Sequence, residues 1–111
     1  MDACSRFRMV LVTAPTAVAE PLAASLVEEG LAACVNIVSG VLSIYRWQGQ
    51  VEREAEALLL VKTEEAHLNA LAQKVGQLHP YDVPEVLALP VSEGSPDYLA
   101  WLAESLRPGP G

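Results

Sequence analysis

Hydrophobic and polar positions change period several times along this chain, and each change marks an element. Arg6-Phe7-Arg8-Met9-Val10-Leu11-Val12-Thr13-Ala14 is short and rich in β-formers, so it reads as a strand. Pro15 and Thr16 break it, with Thr16 expected as the N-cap of a first helix. From Ala17 to Glu29 the apolar residues Val18, Leu22, Leu26 and Val27 recur at helical spacing. Pro21 removes one backbone hydrogen bond near the helix start, and Gly30 is a natural stop.

From about Val35 to Lys62 the pattern predicts one long β-hairpin. Its first arm carries Val35, Ile37 and Val38, a bend at Ser39-Gly40, then Val41 to Trp47. Gln48-Gly49-Gln50 forms the tip. The return arm starts with Glu52, Glu54 and Glu56 at alternate places, expected to face solvent, and continues into the unbroken apolar run Leu58–Val61. Thr63 is expected to cap a second helix with Leu68, Leu71, Val75 and Leu78 as its buried stripe; His67 is expected at its surface. Val83 to Leu89 then reads as a last strand ended by Pro90, which lies at a sheet edge or begins at Pro84, because Pro84 donates no ladder bond. A short helix comes after Ser95-Pro96. Strand, helix, strand, strand, helix, strand, helix is the order of an α+β, ferredoxin-like βαββαβ sandwich with an extra C-terminal helix. Its helices cover one sheet face, which leaves Val, Ile, Tyr and Trp of the hairpin for the other. An apolar open face implies self-association into a closed ring of identical chains.

A chain of 111 residues forms one domain, read here as residues 7–106 with a flexible tail at 107–111. Fourteen acidic against seven basic residues give a formal charge of −7, which argues against nucleic acid and favours cations as partners. No apolar run approaches the ~20 residues of a membrane span, and Met1–Arg6 has no long apolar stretch ahead of a cleavage site. Cys4 and Cys34 make no disulfide framework, so reduced thiols in a cytoplasm are expected.

The segment from His79 to Pro90 packs an imidazole, a phenol, two carboxylates and three prolines into twelve residues. It fits a rigid helix-to-strand connector with a capping histidine, and it fits the wall of a ligand or metal pocket. No phosphate loop, nucleophile elbow or Cys-x-x-Cys is present, and no catalytic residue is assigned. His79 and Cys34 are of the ligand types that copper or zinc accepts, but no local cluster supplies the usual three or four ligands. Tyr45, Trp47, Lys62, His79, Tyr81 and Glu85 fall on strands and turns that this fold can gather into a ligand cleft, within a chain or between chains. Each also has a plain role: Tyr45 and Trp47 as interface cover, Lys62 as a solvated strand end, Glu85 as partner of Lys62 or Arg46.

Leu31-Ala32-Ala33-Cys34-Val35-Asn36, Ser43-Ile44-Tyr45-Arg46-Trp47-Gln48-Gly49, Lys62-Thr63, His79-Pro80-Tyr81 to Pro84-Glu85 and Tyr98-Leu99-Ala100-Trp101-Leu102 together resemble the CutA divalent-cation tolerance family. The likeness runs from about Val10 to Leu106 with the motifs in the same order. It implies a ferredoxin-like fold, a tight homotrimer like that of PII signalling proteins, and a role in tolerance of copper or other divalent cations, without catalysis. The family's proposed copper ligands are a cysteine ahead of Thr-Ala-Pro and two histidines ahead of Pro-Tyr; Val12, Leu78 and His79 stand there in this sequence. The resemblance also leaves a PII-like signalling or scaffold trimer, with a small ligand or partner segment in its inter-subunit clefts.

Overall fold

The computed structural model describes residues 6–108 and the backbone of Asp2 and Ala3; Cys4 and the tail residues 109–111 lie outside the described residues. The elements are β1 Asp2–Ala3, β2 Phe7–Ala14, α1 Thr16–Glu28, β3 Cys34–Trp47, β4 Gln50–Glu64, α2 Leu68–Leu78, β5 Leu87–Pro90, β6 Glu93–Gly94 and α3 Pro96–Glu104. The main sheet is antiparallel with strand order β3-β4-β2-β5, the ferredoxin-like arrangement. The two-residue strands β1 and β6 pair separately, a small sheet the sequence pattern did not indicate.

Alternation along β2 and β4 explains the core. Val10, Val12 and Ala14 of β2 and Ala57, Leu59 and Val61 of β4 point to one face and are buried there under α1 and α2. Ala19, Leu22, Ala23 and Leu26 form the buried stripe of α1, and Leu71 and Val75 that of α2. Each large apolar side chain sealed in this layer contributes about 1.5–3 kcal/mol. Val27 and Leu78, expected in these stripes, lie one position off the packed face and are exposed. The helix stop at Gly30 is a Schellman closure, with Leu31 N–H on the Leu26 carbonyl and Gly30 N–H on that of Val27, both at 3.0 Å. Gly30 takes a φ of 68°, and a Cβ there would stand 2.8 Å from the Arg107 backbone nitrogen.

Several local expectations are corrected. Thr16 is the first helical residue, and the Pro15 carbonyl accepts the N–H groups of Val18 and Ala19. Thr63 stays in β4, fully buried, because its hydroxyl donates to the Leu31 carbonyl at 2.7 Å; a 3₁₀ turn over Glu65–His67 then leads into α2. His67 is buried, not superficial, since that extra turn rotates it inward. The last strand begins at Leu87, four residues late, and Pro90 belongs to it. Its edge position agrees with the pattern and tolerates the proline.

The hairpin of β3 and β4 outgrows the sheet. β2 pairs with β4 only from Glu64 to Ala57, and the ribbon continues without a third strand to a two-residue tip. At the tip, Gln48 and Gly49 both have positive φ, 49° and 81°, as a type I′ turn requires. Where the ribbon leaves the sheet, Ser39 and Gly40 face the single residue Ala57 in a bulge, with Gly40 at φ 78°. The projecting part makes the molecule elongated, 44 × 26 × 22 Å. It also carries Leu42, Ile44 and Val51, each more than half exposed.

Candidate ligand cleft

The root of that ribbon is where the chemistry gathers. Thr13 and Glu56 alternate with the core residues Val12, Ala14 and Ala57, so they point to the sheet face away from α1 and α2. After α2 the chain crosses this face as Pro80, Tyr81, Asp82 and Val83. A cavity of about 560 Å³ results, lined by Thr13 of β2, Ser43, Ile44, Tyr45 and Trp47 of β3, Glu56 of β4, and residues 80–83 with Glu85.

His79 builds the crossing. Its backbone N–H closes α2 on the Val75 carbonyl at 2.8 Å. Its ring is buried; Tyr81 N–H donates to Nδ1 at 3.1 Å, and Nε2 lies 2.8 Å from the Thr13 carbonyl. The amide fixes Nδ1 as acceptor, so the ring proton sits on Nε2 and is donated to Thr13. One imidazole therefore ties the end of α2 to the end of β2 and aims Tyr81. The Tyr81 ring meets it edge-on, with centroids 4.7 Å apart.

Glu56 is the residue that sequence reasoning missed. Its neighbours Glu52 and Glu54 are only half-buried, but Glu56 is 3% exposed, because the Tyr81 segment closes over the place where the ribbon leaves the sheet. No local signal separates it from its neighbours; only the register opposite Val41, next to the bulge, does. The Tyr81 phenol stands close to this carboxylate, and Glu56 Oε2 has no partner among the described residues. Burial, and then the negative charge of Glu56 and Glu54, holds the Tyr81 phenol above its ordinary range, so it remains a donor. Tyr45 is shifted the same way by desolvation and then by Glu54, Glu52 and Glu56.

Of the residues expected in a cleft, Tyr45, Trp47, Tyr81 and Glu85 line it and His79 supports it. Lys62 lies outside this single-chain cavity: it pairs with Cys34 in the β3–β4 register, six residues from Glu56 along β4, about 20 Å at strand spacing. There it hydrogen-bonds the Asn36 side chain and lies 3.9 Å from the Cys34 sulfur. Cys34 is a half-buried free thiol. His79 and Cys34 thus stand apart, and both ring nitrogens of His79 are engaged within the chain. No group of three or more His, Cys, Asp or Glu side chains among the described residues is placed to hold a metal ion. The single chain does not fit a preformed divalent-metal centre.

Residues 8–105 match the family of the CutA1 divalent ion tolerance protein. The chain belongs to the CutA family. The Divalent-cation tolerance protein CutA of Thermus thermophilus is 55% identical over 98 residues, covering 87% of this chain and 95% of that protein. The CutA of Pectobacterium atrosepticum is 49% identical over 100 residues, covering 89% and 91%. Among solved structures, the Thermus thermophilus Cut A1 superposes with a TM-score of 0.88 at 53% identity, over 91% of this chain and 99% of that one. CutA1 from Oryza sativa gives 0.87 at 48% identity, over 93% and 96%. None of these names carries an enzymatic activity. No helix among the described residues is long and apolar enough to cross a membrane.

Proposed function

We propose that this CutA chain works as a cytoplasmic homotrimer in divalent-cation tolerance, and that its contact with copper or other divalent ions is weak and made by the cleft carboxylates. The observation that carries the assembly is the projecting β3–β4 ribbon. A two-stranded ribbon is marginal in water by itself, and this one exposes Leu42, Ile44, Val51 and Trp47. A closed ring of copies covers those residues and places each cleft beside a neighbour. Weak metal contact follows from the donors present: Glu56, Asp82 and Glu85 line the cleft without forming a three-ligand cluster. Copper calorimetry on the wild type, Glu56→Gln and His79→Ala tests it. Weak heat reduced by Glu56→Gln supports the reading; equal heat in all three proteins removes it.

A second reading, a PII-like signalling or scaffold trimer with a small ligand in the cleft, is favoured by one specific observation. Glu56 keeps a buried carboxylate oxygen unpaired on the wall of a cavity large enough for a small molecule. Saturable binding of a metabolite that Glu56→Gln abolishes would support this reading, and a cleft blocked by side chains in the assembled protein would refute it.

A further inference from the structure

We infer that the cleft is a site for a small organic cation, an ammonium compound with an apolar body, its charged head on Glu56 and its body against Tyr45 and Tyr81. The inference rests on the reading of the cleft as a ligand site and names the class of ligand.

Three observations converge on that class. The first is Glu56 itself, 3% exposed, with Oε2 lacking any hydrogen-bond partner among the described residues. A buried acceptor of this kind carries its full desolvation penalty until a donor arrives, and a charged N–H is the strongest donor for it. The second is the sign of the lining. Its ionisable acids are Glu56, Asp82 and Glu85, and no Lys or Arg side chain lines it. An anionic ligand would meet only repulsion there. The third is the wall. Tyr81 and Tyr45 stand nearest the carboxylate and Trp47 continues the wall outward along β3, and aromatic faces attract ammonium groups as well as apolar carbon.

A bare metal ion fits less well. No cluster of three metal-ligating side chains is present among the described residues. A cavity of about 560 Å³ lies within the range of roughly 300–1,000 Å³ that small organic ligands occupy. The competing occupant is a guanidinium from a second copy, since Arg46 and Arg53 lie on the exposed ribbon. Such a donor would satisfy Glu56 and leave nothing for an added amine.

The test is isothermal titration calorimetry on the assembled protein with 2-phenylethylamine as probe. The neutral 2-phenylethanol and copper chloride serve as parallel titrants. Glu56→Gln removes the proposed anchor, and Glu20→Gln on the exposed side of α1 controls for charge alone. Saturable amine binding is expected, about tenfold or more weaker in Glu56→Gln, unchanged in Glu20→Gln, and about tenfold or more weaker for the alcohol on the wild type. No saturable amine heat, equal affinity for amine and alcohol, or equal affinity in Glu56→Gln overturns the inference. The amine-to-alcohol ratio is read on the wild type, so the test does not depend on the variant folding. If amines fail while a copper response is still lost in Glu56→Gln, the ammonium class is wrong and the cleft reading survives. If both fail, both are gone.

Discussion

His79 and Tyr81 are joined twice, by the Tyr81 amide on the imidazole Nδ1 at 3.1 Å and by an edge-on ring contact at 4.7 Å. The same imidazole faces the Thr13 carbonyl through Nε2, so the cleft wall is fastened to the sheet through one side chain. His79 is the C-cap of α2, as the sequence offers, and its ring acts in addition as a clamp.

His79→Ala should therefore destabilise the fold by about 2–4 kcal/mol, because it leaves the Tyr81 N–H and the Thr13 carbonyl without their partner. Denaturant unfolding measures this. A loss below half a kcal/mol, roughly the level of an ordinary surface substitution, would contradict the clamp.

Thr63→Val should lower stability by about 1–2 kcal/mol. It keeps the side-chain shape in the core but strips the Leu31 carbonyl of its hydroxyl donor. The same unfolding curves decide it, with an unchanged midpoint as the opposing result.

Three glycines separate backbone strain from space. Gly76 lies inside α2, and a Cβ added there would meet nothing within 4 Å, so Gly76→Ala should stabilise by about 0.5–1 kcal/mol. Gly40 has equal room but a φ of 78°, and alanine there should cost about 1–2 kcal/mol. Gly30 combines φ 68° with the Arg107 backbone at 2.8 Å, so Gly30→Ala should be the worst of the three. Any other ranking of their melting temperatures would argue against these backbone positions.

All three tyrosines should titrate above the ordinary phenol value of 10.0, chiefly because burial disfavours the phenolate. The folded state then holds its phenolic protons more tightly than the unfolded chain does. Stability from this source is complete below pH 10.0 and is lost as pH rises through the higher folded values. Phenolate absorbance against pH, native and in denaturant, reads the difference. Coincident curves would contradict it.

The strand order, the hairpin tip and the edge position of the last strand were legible because each rests on local period, glycine or proline. The cleft was half legible. Tyr45, Trp47, Tyr81 and Glu85 could be gathered from the fold order, while the position of Lys62 outside this single-chain cavity follows only from the β3–β4 register, which sets it opposite Cys34. Glu56 and Thr63 escape the sequence pattern for one common reason. Each is polar by type but buried by a segment distant in sequence, and no periodicity carries that information.

Assembly is the central proposal, since the ribbon leaves Leu42, Ile44 and Val51 exposed. Light scattering coupled to size exclusion, at micromolar concentration and neutral pH, tests this most directly. The expected mass is three times the chain mass of 11.9 kDa, falling toward a single chain when Leu42 and Ile44 are both replaced by Asp. A wild-type mass of one chain would contradict it.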